Sequence, residues 1–178
     1  MKPTSLEEFY KRTSSQVPEG LDGDIGHFNV FRVKDFEFSK PPGSFMSYNR
    51  KTFYKITLIA CKTSIKYIDR TIEVEKNGIL FATPKVPYQY VHQGTGNGGY
   101  FCIFSADFLL KNKSGVIIDD LPIFSSNDYP VFNLSAKDAK ELRRIFEKMY
   151  TEIASDYVYK YDLLRAYVLE LIHFGQKQ

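Results

Sequence analysis

The feature that most restricts this chain is a change of hydrophobic period. Up to about residue 104, apolar and polar side chains alternate in short runs, the two-residue repeat of pleated strands. From Ser135 onward apolar residues recur at three and four positions, the repeat of a helix face. Strands first and helices afterwards predict an antiparallel β structure with helices packed outside it, not parallel βαβ units.

The strand-like runs follow one another about every ten residues, the spacing of an antiparallel sandwich or barrel. Residues 25–33 (IGHFNVFRV) place Phe28, Val30 and Arg32 on one face, and residues 53–61 (FYKITLIAC) carry the strongest strand signal. Residues 65–67 and 71–74 form a hairpin about Asp69-Arg70, and Lys76-Asn77-Gly78 supplies the next turn. Residues 79–82, 88–92 and 100–104 complete the series. A short helix is predicted over residues 6–12, and loops at Lys40-Pro41-Pro42-Gly43-Ser44 and at the cluster Gly94, Gly96, Gly98 and Gly99.

Past the strands, Ser105 can cap a short helix running to Lys111, and residues 124–132 are irregular or weakly extended. Ser135-x-x-Asp138 resembles a capping box, followed by the stripe Leu142, Ile145, Phe146, Met149 and Ile153. Ser155-Asp156 can cap a second helix bearing Tyr161, Leu164, Val168, Leu171 and Ile172, with Gly175 at its C-cap. The chain therefore divides into a β domain with an N-terminal arm, residues 1–134, and a helical hairpin, residues 135–178.

Composition narrows the function classes. Fifteen Phe and 13 Tyr with no Trp suit sheets and a ligand pocket better than an all-helical bundle. A net charge of +3 is too weak to imply nucleic acid. The longest nearly apolar stretch, residues 56–61, is far short of the ~20 residues of a membrane helix. The first residues carry early acids and no apolar h-region, unlike a signal peptide. Cys61 and Cys102 lie in apolar runs and read as reduced thiols, so the expected location is cytoplasmic, with no membrane partner.

Catalytic and metal chemistry find little to work with. His27, His92 and His173 stand apart, with no HxH, HxxxH or CxxC, so neither a metal nor another cofactor is expected. No GxSxG elbow occurs. Gly94-Thr95-Gly96-Asn97-Gly98-Gly99 lacks the GK[ST] ending of a phosphate loop and leads into a strand, so it reads as a hairpin loop. Two aromatic-polar segments are more informative. Alternation puts Arg50, Thr52, Tyr54 and Ile56 on one face, against Lys51, Phe53, Lys55 and Thr57, and it puts Tyr88, Tyr90 and His92 together. Hydroxyls, an imidazole and a guanidinium on aromatic walls suit a small polar ligand, so Arg50, Tyr54, Tyr88, Tyr90 and His92 are the candidate binding residues. A one-residue slip would reverse every face.

The order of these segments resembles the N-terminal cupin-like sensor domain of AraC-type transcription regulators, especially their Bacteroidetes-like branch. RKTFYKITLI (residues 50–59), NGILFATPKVPYQY (77–90), GYFCIFSADFL (99–109) and YDLLRAYVLELIHFGQ (161–176) carry the resemblance, which runs from about residue 25 to the end. It implies a mainly β fold, a cupin-like double-stranded antiparallel barrel (jelly roll) followed by a two-helix hairpin. It further implies a small-molecule effector such as a sugar or other small metabolite, a homodimer, and DNA contact through downstream helix-turn-helix motifs.

Those motifs are absent from this chain, which reads as a truncated piece or an isolated sensor half. The stretch from Ser135 carries 8 Lys/Arg against 7 Asp/Glu and shows no basic recognition face. Its apolar residues Tyr161, Leu164, Val168, Leu171 and Ile172 are the expected dimerisation surface. The alternative is a cupin-fold enzyme of the sugar isomerase or dioxygenase type. The second motif of such enzymes is Gly, five residues, Pro, one residue, Gly, two residues, His. Gly78 and Pro84 fit, whereas Val86 and Gln89 replace the second Gly and the His, and the first motif's HxH and Glu are missing from residues 53–67. The resemblance thus implies a barrel without catalytic residues.

Overall fold

The predicted antiparallel strands assemble into two sheets. In the computed structural model, which describes residues 2–21, 24–36, 48–93, 98–110, 118–125 and 129–178, the strands are β1 (Phe28–Arg32), β2 (Tyr54–Ile59), β3 (Thr63–Lys66), β4 (Thr71–Val74), β5 (Gly78–Ala82), β6 (Gln89–His92), β7 (Tyr100–Phe104) and β8 (Val131–Asn133). The larger sheet has the order β1-β7-β2-β5-β8 and the smaller β4-β3-β6. Every pairing between these strands is antiparallel, with Ile56 opposite both Cys102 and Phe81, and Ile65 opposite both Ile72 and Tyr90. Helices α1 (Leu6–Thr13) and α2 (Ala106–Leu110) flank the strands, and α3 (Ala136–Glu152) and α4 (Lys160–Gln176) follow them. The loop predicted at Lys40 to Ser44, and Gly94 and Gly96 of the glycine cluster, lie outside the described residues.

The two faces of the larger sheet differ in kind. Phe28, Val30, Tyr54, Ile56, Leu58, Ile79, Phe81, Cys102 and Phe104 cover one face. Nothing on it can be left wet, and the apolar stripes of α3 and α4 close over it with Leu142, Phe146, Met149, Leu164, Val168 and Leu171, all fully buried. The opposite face is shared between two covers. The small sheet packs Ile65, Val74 and Tyr88 against Leu80 and Ala82, while α1 lays Phe9 against Phe31, Phe53, Phe101 and Ile103. Ser5 and Glu8 fix the start of α1 with a reciprocal capping box.

Three features of the helices are corrected. Ser135 does cap α3, accepting from the Asp138 amide at 3.0 Å, but α4 begins at Lys160 and not after Ser155-Asp156. Ser155 instead accepts from the Tyr157 amide inside the connection, and Lys160 Nζ donates to the carbonyls of Ile153 and Ser155, closing the turn. Gly175 is no C-cap but a buried residue of the last turn of α4. A Cβ there would stand 2.2 Å from Ile123 Cδ1 and 2.6 Å from the Phe81 ring, so glycine is what lets α4 approach the sheet. Finally, Tyr161, Leu164, Val168, Leu171 and Ile172 are all buried in the chain's own core. A second copy cannot touch them without lifting α4 off the barrel.

Candidate functional site

The side chains able to meet a ligand lie on the inner face of the large sheet, where its two covers meet. β2 is the central strand of that sheet, and period-2 alternation turns Tyr54, Ile56 and Leu58 to the helices. Its other face, with the residues leading into it, carries Lys51, Phe53, Lys55 and Thr57 inward. The alternation read from the sequence holds from Tyr54 onward, where the strand begins, and the face chosen for the site there is the one that the helices cover. Arg50 is exposed, and Tyr54 stacks on Phe104 in the helix-side core, at a centroid separation of 5.6 Å. Neither joins the inner face. The readable sign was the wholly apolar character of the Tyr54 face, which demands a helix over it, leaving the mixed face to line the interior.

The second candidate segment is differently placed. Tyr88 is buried in the inter-sheet cluster, with Tyr90 half-buried against it. On β6, Tyr90 and His92 share the face of Ile65 and Thr63, their partners on β3. His92 sits at the far end of that strand with its Nδ1 3.2 Å from Cys61 Sγ. Of the five predicted residues, Tyr88, Tyr90 and His92 share a side of the small sheet, and Arg50 and Tyr54 do not join them.

Sequence reasoning missed Lys51. Its main chain bridges to Thr4 at the N-terminal arm, and the residue is 95% buried, with Nζ 5.1 Å from the centre of the Tyr88 ring. Among the described residues that ammonium makes one hydrogen bond, a long one of 3.4 Å to the Asn49 carbonyl oxygen. Burial, and next the Arg12 guanidinium, hold its pKa down to about 8, so at neutral pH it still carries its proton. Lys55 Nζ lies 4.2 Å over the Phe101 ring, and the Thr57 hydroxyl is buried without a partner. The Tyr67 ring lies 4.4 Å from that of Tyr129 and 6.5 Å from that of Tyr88, and burial raises the hydroxyl pKa of both Tyr67 and Tyr88. Cations on aromatic faces beside buried hydroxyls can bind and orient a polar group. Among the described residues, no group of three His, Cys, Asp or Glu could hold a metal ion, and no helix is long and apolar enough to cross a membrane.

No protein-family model matches the chain, and no curated protein is significantly similar to it in sequence. Solved structures are similar in shape. An apo point variant of ToxT from Vibrio cholerae strain SCE256 overlays with a TM-score of 0.53 at 11% identity, over 88% of this chain and 57% of its own. ToxT from Vibrio cholerae O395 bound to (E)-4-(8-methylnaphthalen-1-yl)but-3-enoic acid gives 0.50 at 14% identity, over 85% and 56%. The AraC-like transcriptional activator CuxR overlays more loosely, at 0.43 and 14% identity over 89% and 60%. The chain thus spans under three fifths of the ToxT chains it matches. In its two sheets and trailing helix pair it has the cupin-like fold that the resemblance implied, shared with the matched part of ToxT.

Proposed function

We propose that this chain is the non-catalytic effector-binding and dimerisation part of a transcription regulator, working in the cytoplasm on a DNA-binding part outside these 178 residues. The observation that carries the reading is the mixed inner face: a barrel of this fold that directs Lys51, Lys55, Thr57, Tyr88 and Tyr90 inward, with aromatic rings for walls. ToxT, of like fold, is known with an aryl carboxylic acid bound, which supports a small-molecule effector here. The division of labour follows the change of period, with residues 1–134 sensing and residues 135–178 pairing copies. Pairing has surface available at the turn into α4, where Tyr157, Val158 and Tyr159 are exposed in sequence and Leu163 follows on the first turn. A thermal-shift screen of sugars, aromatic acids and other small metabolites tests the sensing role. A saturable rise in Tm with one compound class is expected by mass action. Stoichiometric Fe, Mn or Zn in the purified protein, with turnover of a sugar or aromatic substrate, would replace the reading with a cupin enzyme.

A further inference from the structure

Cys61 and His92 form a pair that effector binding leaves unused. Cys61 stands in the turn that joins β2 of the larger sheet to β3 of the smaller. His92 ends β6 opposite Thr63, the first residue of β3, and this register brings its Nδ1 to 3.2 Å from Cys61 Sγ. The Thr63 hydroxyl adds a contact to the sulfur at 3.5 Å. A thiol that meets an imidazole nitrogen is a nucleophile with a base in reach. Both residues are half-buried, the partly exposed setting in which reactive cysteines are found. The charged groups described on the elements meeting there are engaged with others: Arg143 of α3 donates to the Gly98 carbonyl, Lys62 pairs with Glu75 at 3.3 Å, and Glu73 accepts from Ser64. Cys102 is the contrast. It stands opposite Ile56 on the helix-covered face, well beyond disulfide reach of Cys61, and burial pushes its thiol up to about 12. An oxidant would leave Cys61 with no neighbouring thiol of the chain to close on, whereas an addition reaction needs no second cysteine.

We propose that Cys61 is a covalent modification site for α,β-unsaturated carbonyl compounds, with His92 as its proton carrier. Nδ1 takes the thiol proton as the sulfur forms its bond to the β carbon. The π pair of the C=C bond passes to the α carbon, which then takes the proton from the imidazolium. One S–H bond and one C=C π bond are replaced by a C–S and a C–H bond; nothing is oxidised, reduced or expelled. The adduct sits on the turn between the two sheets, a second input beside reversible effector binding and independent of it.

Acrylamide, an uncharged member of the class, is the probe, and its uptake by the 178-residue chain is followed by intact mass and peptide mapping. A single adduct per folded chain is expected, on Cys61 and not on Cys102, and none in Cys61→Ser. From about pH 9.5 to about pH 6.5 an unassisted thiol, as in the urea-unfolded chain, slows roughly a hundredfold. Folded Cys61 should slow less than about tenfold over that range, because the pair supplies thiolate where solvent does not. His92→Gln should restore the steep decline while leaving the rate near about pH 9.5 undiminished, which separates proton transfer from mere access. A folded wild type that declines as steeply as the unfolded chain would overturn the proposal, and that comparison needs no variant. So would a profile unchanged by a folded His92→Gln, labelling of Cys102 at the rate of Cys61, or no uptake by the folded protein. Each of these outcomes leaves effector binding to its own thermal-shift screen.

Discussion

His27 is a titratable side chain that the fold keeps neutral. Its Nε2 lies 2.8 Å from the Tyr10 hydroxyl, which in turn accepts from Asn29 Nδ2 at 3.0 Å. Burial lowers the imidazole pKa to about 4 and raises that of Tyr10 to about 12. The unfolded chain takes up the proton near pH 6.5, the folded one only near 4, so this contribution is complete above 6.5 and is lost as pH falls toward 4. Allowing for partial exposure, roughly 1–2 kcal/mol should disappear over that window. Urea unfolding at stepped pH checks it: His27→Gln should show a much shallower decline, and an identical decline would place the acid sensitivity elsewhere. Arg165 is the opposite case, a buried charge with a partner at each of its three nitrogens. It donates to the carbonyls of Phe108 and Ile25 and pairs with Asp162 Oδ1 at 2.7 Å, joining α4 to α2 and the approach to β1. Arg165→Met should cost about 2–4 kcal/mol in urea unfolding, since two carbonyls lose their donor inside the protein.

At the level of elements, α3 and α4 solve different problems. α3 has one apolar stripe and a polar outer face, whereas α4 is apolar over more of its circumference and packs against the sheet, α3 and the short 3-10 turn Pro122–Phe124. Close approach at its end depends on Gly175, and Gly175→Ala should destabilise by about 1–3 kcal/mol, measurable in the same assay. The burial of the α4 stripe changes what a charge placed there means. Leu164→Glu should unfold the protein, with loss of near-UV dichroism, and not yield a folded monomer. Val158→Glu, on the exposed turn, should leave the fold intact and shift sedimentation from dimer to monomer. A monomeric wild type would remove the pairing role from residues 135–178.

For the molecule as a whole, the charge is small: 24 basic residues against 21 acidic. Few phosphates could be neutralised, so a gel shift at physiological salt should show no sequence-specific DNA complex with these 178 residues. Specific binding would mean that the chain carries its own DNA-reading surface. The barrel is also where the molecule spends its unmet polar groups. Thr57 and Tyr48 keep buried hydroxyls without partners and Lys51 has one weak contact, while the helix-side core holds one buried charge among the described residues, Arg165. Buried polar groups without partners are a usual sign of where a ligand enters the accounting.

Period and turn chemistry are local properties, and they were legible. The strand at Tyr100–Phe104, the hairpin from β3 to β4 and the Ser135 cap follow from residues close in sequence. Alternation likewise paired Tyr54 with Ile56 and Tyr90 with His92. What alternation leaves open is parity, because the two faces of a strand are equivalent until something packs on one of them. Only the docking of α3 and α4 turned Tyr54 outward and Lys51 and Lys55 inward, and only the same docking consumed Leu164 and Leu171, which in isolation look like an interface. The order of strands within each sheet, the approach that requires Gly175 and the burial of Lys51 against Tyr88 join residues far apart in the chain. Such contacts are settled by which surfaces can exclude water together, and no single segment carries that information.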